Sequence, residues 1–177
     1  MNEFKLGRVA GITLSATPLA IASSALLWAV LSGVGIGVLG LPPWEAIGGG
    51  LLAVILHWVS IIAHQLSHAW AARRTGYPMA GIRLGLSGLL STGLYPPDEP
   101  PLPAAIHIRR ALGGPAGSLL ITLLAGVIAL LSRPAGGAPW WVSVFFLLDN
   151  LIVITLGALL PLGFTDGSTL LNWWGKR

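Results

Sequence analysis

The sequence has 177 residues, of which 54% are hydrophobic and only 9% are charged. Soluble domains are about 25% charged, so this composition excludes an ordinary soluble domain and indicates an integral membrane protein. The absence of cysteine excludes disulfides and thiolate metal ligands. The net charge of +4 comes from basic residues scattered at the ends of apolar runs, which is typical of topology signals and not of a nucleic-acid-binding surface.

The first part of the chain predicts two membrane spans. Residues 6–15 are β-branched with interspersed glycines and predict a short strand or an interfacial segment. A Thr-Pro helix-start signal then opens an apolar run over residues 17–40, which is long enough to cross ~30 Å of hydrocarbon. A second apolar run over residues 46–72 ends at a pair of arginines. We therefore predict spans over 17–40 and 46–72.

The next segment, residues 79–95, is apolar but unlike a spanning helix. Glycines recur in it, and residues 82–86 alternate between apolar and small or polar side chains, which predicts a β-hairpin that turns at Ser87 and Gly88. Open strand edges are not tolerated against lipid, so the hairpin must be shielded by protein or lie at the interface. The proline-rich residues 96–103 predict a stiff, extended connector.

Two further spans are predicted over residues 104–132 and 140–160. The Gly-Gly-Pro sequence at 113–115 should bend the third span or let another backbone approach it closely. Pro161 interrupts the fourth span. The fold class predicted is an α-helical integral membrane protein with about four transmembrane helices and a small membrane-associated β-sheet or hairpin, in a single domain over residues 1–177.

The basic residues predict the orientation of this multi-pass protein. Their bias places both termini and the connection between the second and third spans on the cytoplasmic side. These residues are Lys5, Arg8, Arg73, Arg74, Arg109, Arg110, Lys176 and Arg177.

The sequence HQLSH over residues 64–68, near the cytoplasmic end of the second span, carries the strongest chemical signal. His64 and His68, at positions i and i+4, project from one helical face and can clamp one metal ion. They could also be hydrogen-bonded core residues, but ionisable residues inside a membrane are costly and functional by default, which favours a ligand pair. The zinc-protease motif of this spacing has a glutamate after its first histidine, and here that position is Gln65.

A metal needs a third ligand, and the later apolar region offers two acidic residues. Asp166 follows the helix break, where backbone can line a cavity, and lies near the depth of the histidine pair. Asp149 would be roughly 20 Å or more away along the helix, and we expect it to contact Asn150 or another buried polar group. For His57 we favour a helix–helix contact over a proton relay, and His107 is expected at the membrane interface.

Two histidines, one carboxylate and an open position for water form a catalytic zinc arrangement. Such a zinc ion polarises the scissile carbonyl and activates water, while a nearby carboxylate takes the proton. Gln65 has the shape of glutamate but cannot accept and return a proton. We therefore expect peptide hydrolysis to be nearly abolished while metal and substrate binding survive.

These patterns resemble the site-2 protease family of intramembrane zinc metalloproteases. HQLSHAWAARRTGYP resembles the family's H-E-x-x-H helix and the stretch that follows it, and PLGFTDG at 161–167 resembles its P-x-x-x-x-D-G segment. GGPAG at 113–117 is similar to its glycine–proline element, and LGRVAGITLSATP to the strand that leads into its first helix. The resemblance implies a Zn²⁺ ion held by His64, His68 and Asp166.

The sequence departs from the family pattern at three positions. Gln65 replaces the catalytic glutamate, Ala158 replaces an asparagine before the motif proline, and Ser118 replaces one after the glycine–proline element. A role of those asparagines in steadying the substrate therefore does not carry over to this chain directly, and Ser118 can substitute for one only partly.

The resemblance also implies that the membrane-associated sheet takes up the substrate as an added strand and unwinds its helix. We expect backbone between residues 81 and 95 to pair with the substrate, although the hairpin could instead only shield the zinc from lipid. The predicted substrate contacts are Gly81, Ile82, Arg83, Leu84, Gly85, Leu86 and Ser118.

The leading hypothesis is an intramembrane zinc metalloprotease that cleaves transmembrane segments of membrane proteins in regulated intramembrane proteolysis, in a bacterial inner membrane, and that is inactivated by Gln65. Its partners are the substrate segment and the lipid bilayer, without nucleic acid. The alternative is a non-catalytic receptor or chaperone for transmembrane segments. A metal transporter is disfavoured because no further intramembrane carboxylates mark a path.

Overall fold

The computed structural model describes residues 3–176, so Arg177, one of the predicted topology signals, lies outside the described part of the chain. The elements in chain order are β1 (Phe4–Val9), β2 (Ile12–Ala16), α1 (Pro18–Gly37), α2 (Pro43–Arg74), β3 (Gly81–Leu84), β4 (Ser91–Leu94), α3 (Ala104–Ser132), a 3₁₀ turn (Arg133–Ala135), α4 (Gly137–Leu148), a π-helical segment (Asp149–Leu156), α5 (Gly157–Leu159) and α6 (Asp166–Trp173).

The prediction of four spans is confirmed. Four helical stretches are long and apolar enough to cross a membrane: Pro18–Gly37, Pro43–Arg74, Ala104–Ala135 and Gly137–Leu159. The first begins where the sequence predicted, because the Thr17 hydroxyl accepts a hydrogen bond from the Ala20 amide at 3.3 Å and caps the helix.

The sheet has four strands in the order β1-β2-β3-β4. The N-terminal segment is not the single short strand we expected but a hairpin, β1–β2, which turns at Ala10 and Gly11. Both turn residues have positive φ, at 51° and 82°, as the common two-residue hairpin turn requires. β2 pairs with β3 in parallel, because helices α1 and α2 between them carry the chain back to the end of the sheet where β2 begins. β3 then pairs with β4 in antiparallel.

The sheet packs on α2, which shields it as the sequence predicted. Ile82 of β3 is almost fully buried, at 1% exposure, in an apolar core shared by the sheet and α2. Helix α2 also packs against α1, α3 and α4, and α3 packs against α6. The HQLSH segment of α2 is therefore surrounded by the sheet on one side and by α3 on another.

The fourth span contains a π-helical segment that the sequence did not predict. The side chain of Asn150 is fully buried, and its amide donates to the Phe146 carbonyl at 2.8 Å and to the Ser60 hydroxyl of α2 at 3.0 Å. A side chain that takes a carbonyl from the helical ladder is one cause of such widened turns. The segment begins at Asp149.

Candidate active site

The structure brings together the three side chains that the sequence singled out as metal ligands. His64 Nε2 lies 3.0 Å from His68 Nε2, and Asp166 Oδ2 lies 3.4 Å and 3.2 Å from those two nitrogens. Zinc bonds to nitrogen and oxygen at about 2.0–2.2 Å, so the ligand atoms of a tetrahedral site stand roughly 3.3 Å apart. The donor types and the spacing fit a zinc ion. Among the described residues, no other group of three His, Cys, Asp or Glu side chains converges in this way.

Asp166 reaches the histidines because the chain breaks after α5. Pro161 ends the helix, the chain turns back, and Asp166 is the first residue of α6. Gly167 permits this turn, since a Cβ at this position would collide with the Leu159 carbonyl oxygen. The Asp-Gly pair therefore combines a ligand with the close backbone approach that delivers it.

Burial opposes ionisation of Asp166, but hydrogen bonds and charge from the two histidines outweigh it and hold the pKa of this carboxyl below its usual value. The group is thus an ionised carboxylate at neutral pH, which is the form that binds a metal.

The glycines of the GGPAG element let α3 approach α2 at the histidines. A Cβ on Gly114 would overlap both imidazole rings, and one on Gly117 would overlap the Ser67 side chain. Helix α3 runs unbroken from Ala104 to Ser132. Of the two roles considered for this element, close backbone approach is the one the structure shows.

Helix α3 also orients both imidazole rings. His64 Nδ1 lies 2.8 Å from the Ser118 hydroxyl, where a ring with Nδ1 protonated donates, and His68 Nδ1 donates to the Arg110 carbonyl at 2.7 Å. The Gly114 amide lies 3.2 Å from the same His68 nitrogen, but the shorter bond to the carbonyl fixes the proton on Nδ1. When Nδ1 carries the ring proton, the Nε2 lone pairs point to the site beside Asp166. A metal ion there would take the place of the Nε2 protons that otherwise bond to the Asp166 carboxylate.

Ser118, which we predicted to contact the substrate, is fully buried behind His64 and does not line the cavity. Its substrate contact stays a prediction, and what the structure shows is its hydroxyl against the His64 ring.

Gln65 lies beside the metal site with 7% exposure, and its amide nitrogen donates to the hydroxyl of Ser91 in β4 at 2.9 Å. The position of the general base thus faces the outer strand of the sheet. An amide there can donate or accept hydrogen bonds, but it cannot take up a proton at neutral pH.

A cavity of about 620 Å³ connects the three metal-site residues, Gln65 and strand β4. Its wall includes Leu90, Ser91, Thr92 and Gly93 of the hairpin. Cavities of this size are typical of ligand sites.

Of residues 81–95, which we expected to pair with the substrate, those in β3 have no free strand edge. Strand β3 lies between β2 and β4, so both of its edges are already hydrogen-bonded. Gly85 and Leu86 also use their amides internally, to the Leu90 carbonyl at 2.7 and 3.0 Å. Among the strands described, only β4 lines the cavity with an outer edge that no other strand covers.

Known proteins resemble this fold and sequence, although no protein-family model matches the chain. A curated relative, "Putative zinc metalloprotease Rip3" of Mycobacterium tuberculosis, is 32% identical over 136 residues, which cover 73% of this chain and 31% of the relative, in each of two strains. The solved structure of the site-2 protease from Methanocaldococcus jannaschii superposes with a TM-score of 0.62 over 96% of this chain and 70% of its own, at 18% identity, which shows a shared fold.

The chain is similar in sequence to a zinc metalloprotease and shares the fold of a site-2 protease. It spans about a third of the length of its curated relative. The departures from the family pattern fall around the cavity: Gln65 and Ala158 line its wall, whereas Ser118 lies behind it.

The sequence analysis did not predict one partly buried ion pair at the cavity. The sequence pattern places Arg110 among the cytoplasmic topology signals, but its side chain is only 5% exposed. Its guanidinium holds Glu99 of the proline-rich connector through two bonds, at 2.9 and 2.5 Å, and lies 4.2 Å from the ring centre of Tyr95. The signal that could have found this pair is the lone glutamate in the connector, eleven residues before a cation.

The two remaining histidines stand outside the metal site. The expected helix–helix contact of His57 is confirmed, and its partner is Asp149 of the fourth span, with Nδ1 3.1 and 3.2 Å from the two carboxylate oxygens. His107 stacks on Trp173 of α6 with ring centres 4.2 Å apart.

Proposed function

We propose that this chain binds zinc through His64, His68 and Asp166, and that it holds a transmembrane segment of a membrane-protein substrate in the adjoining cavity without cleaving it efficiently. The observation that carries this proposal is the placement of Gln65. Its amide lies between the metal-site residues and strand β4, where a protease of this family would need its proton acceptor.

A zinc ion held there would supply Lewis-acid activation of a peptide carbonyl and of water. The protein residues would hold the ion and transfer the proton. Asp166 and the two oriented imidazoles present one anionic and two neutral donors, and the carboxyl at position 65 of an active enzyme would carry the proton from water to the leaving nitrogen. General acid–base catalysis contributes about 10²–10⁴-fold, which is the loss we assign to Gln65.

Strand β4 is the proposed receptor for the substrate backbone. The carbonyls of Leu90 and Leu94 point toward the β3 side, where they accept from Gly85 and Ala80. Backbone groups alternate along a strand, so those of Ser91 and Gly93 face the outer edge. A substrate that adds to this edge becomes extended, which exposes a peptide bond that its helix had shielded.

We further propose that residues 1–177 form a single protease-like domain in a bacterial inner membrane, with both termini in the cytoplasm. The basic residues at the end of α2 and beyond α6 support this orientation. Nucleic acid has no part in the proposal.

Gln65 also supports a second candidate function, a receptor or chaperone that binds transmembrane segments and was never selected for cleavage. Its hydrogen bond to Ser91 gives the amide a structural use in this chain. The protease and receptor candidates differ in one respect: only in the protease would the site be able to cleave once a carboxylate is restored at position 65.

The Gln65→Glu substitution separates them. In proteoliposomes with zinc and a model transmembrane substrate, we expect this variant to cleave about 100-fold faster than the Gln65 chain. Gln65→Ala serves as the matched control and should stay inactive. Full zinc content with no cleavage by Gln65→Glu across a panel of substrates would contradict the protease proposal and support the receptor.

A further inference from the structure

A second polar network lies about two helical turns before Gln65 on α2, and the proposed chemistry does not use it. His57 of α2 and Asp149 of the fourth span are 2% and 7% exposed. His57 Nδ1 faces both carboxylate oxygens, and Nε2 lies 3.1 Å from the carbonyl oxygen of Leu89. Helix α2, the fourth span and the turn between β3 and β4 thus meet at the imidazole ring of His57.

The partners fix the direction of these hydrogen bonds. A backbone carbonyl can only accept, so Nε2 must carry a hydrogen and donate it to Leu89. Asp149 then shares the single proton that lies between its carboxylate and Nδ1, whichever group holds it, and the pair has no net charge in either state. The Asp149 carboxylate therefore fixes the orientation of the His57 ring, in the way that a carboxylate often orients a histidine whose other nitrogen has a functional contact.

Leu89 is placed so that a shift of its backbone would also move β4, the strand that we propose receives the substrate. It is the second residue before β4, at the end of the turn that joins β3 to β4. The start of this turn is anchored separately, since the Thr17 hydroxyl donates to the Gly85 carbonyl at 2.9 Å. His57 provides the matching anchor at the other end, immediately before the strand that lines the cavity.

We propose that His57 is a positioning residue, oriented by Asp149, that holds β4 at a fixed place beside the metal site through the carbonyl of Leu89. The substrate-binding role of β4 rests on the proposed function, whereas the positioning of β4 does not. The network would thereby couple the fourth span to the strand that receives the substrate.

Hydrogen exchange in the unmodified Gln65 background tests the positioning directly. In His57→Leu, the amides of Thr92 and Leu94, which face β3, should exchange about tenfold faster, because one buried hydrogen bond that holds the strand is lost. His57→Gln, whose amide nitrogen can still donate to Leu89, should restore most of the protection. The matched control is Trp58→Phe, which removes a 2.8 Å bond from the neighbouring residue of α2 to Ser24 of α1 and leaves the bond to Leu89 intact.

Kinetics in the Gln65→Glu background give the second readout. His57→Leu should raise KM about tenfold and leave kcat within about twofold, with zinc content unchanged. Equal exchange of the β4 amides in His57→Leu and Trp58→Phe would overturn the inference, as would a lower kcat at constant KM. If Gln65→Glu fails to cleave at all, the proposed function fails, and the exchange experiment still decides the role of His57.

Discussion

The side-chain amide of Gln65 donates a hydrogen bond to the hydroxyl of Ser91 across 2.9 Å. This contact joins the metal-binding helix to the outer strand of the sheet at the residue where a base would act. A peptide that pairs with β4 must therefore pass directly beside position 65. Position 65, the histidine pair and strand β4 are brought together by one local arrangement of α2 and β4, and Asp166 joins them from α6.

Pairing with β4 predicts a period of two in the substrate. In a Gln65→Glu parent, single prolines placed along the substrate segment should slow cleavage at alternate positions, because only every second amide donates to the receiving strand. Cleavage rates measured for each proline variant in proteoliposomes test this. A smooth dependence on position, without alternation, would rule out strand addition.

Ser118→Ala should weaken zinc binding about 10–100-fold, since it removes the acceptor that orients His64. Ser67→Ala is the matched control, because Ser67 lies between the two histidines in α2 but donates only to the Ala63 carbonyl of its own helix. Competition with a zinc chelator gives both affinities. Equal zinc affinities in the two variants would refute the orienting role.

Gly114→Ala should disrupt the site by steric overlap with both imidazole rings. Overpacking of this kind costs about 1–3 kcal/mol, and we expect zinc binding to be lost as well. Gly126→Ala in the same helix is the control, because its Cβ would meet only Leu147 Cδ1 at an ordinary 3.8 Å. Unfolding in mixed micelles should show destabilisation of Gly114→Ala alone, and equal stability of the two variants would contradict close helix approach.

The connector should stay attached to Arg110 at mildly acidic pH. The hydrogen bonds from Arg110 outweigh the effect of burial and hold the pKa of Glu99 below its usual value of 4.5. A carboxyl with a lowered pKa contributes stability that is complete above its unfolded pKa and is lost as the pH falls through the folded value. The connector should therefore loosen only below about pH 4.5.

A spin label reports this directly, because the chain has no cysteine and Asp98 is exposed beside Glu99. The label on Asp98→Cys should be immobile at neutral pH and should become mobile on acidification. In the background of Glu99→Gln it should already be mobile at neutral pH and should not respond to acidification. Mobility that depends on neither pH nor Glu99 would show that the ion pair does not hold the connector.

The sequence was sufficient to predict the elements that local patterns determine. Apolar run lengths located four spans, and the proline break before Asp166 indicated where a carboxylate could meet the histidine pair. Both depend on spacing within short segments. The structure brings His64, His68 and Asp166 together, as that spacing predicted.

What the sequence could not supply depends on contacts between distant segments. The parallel pairing of β2 with β3 makes β3 an inner strand, which leaves the outer edge of β4 as the one we propose for the substrate in place of Gly81–Leu84. Arg110 resembles a topology signal in the sequence, and only the folding of the connector over it reveals the ion pair. The π-helical segment likewise arises from Asn150 bonding across to Ser60.

The most direct test of the account is the zinc content of the purified chain beside that of Asp166→Ala, with Asp98→Asn as the control for loss of one carboxylate. We predict about one zinc per chain for the unmodified protein and for Asp98→Asn, and at least a roughly tenfold lower affinity for Asp166→Ala. Equal zinc content and affinity in all three proteins would contradict a metal site built from His64, His68 and Asp166.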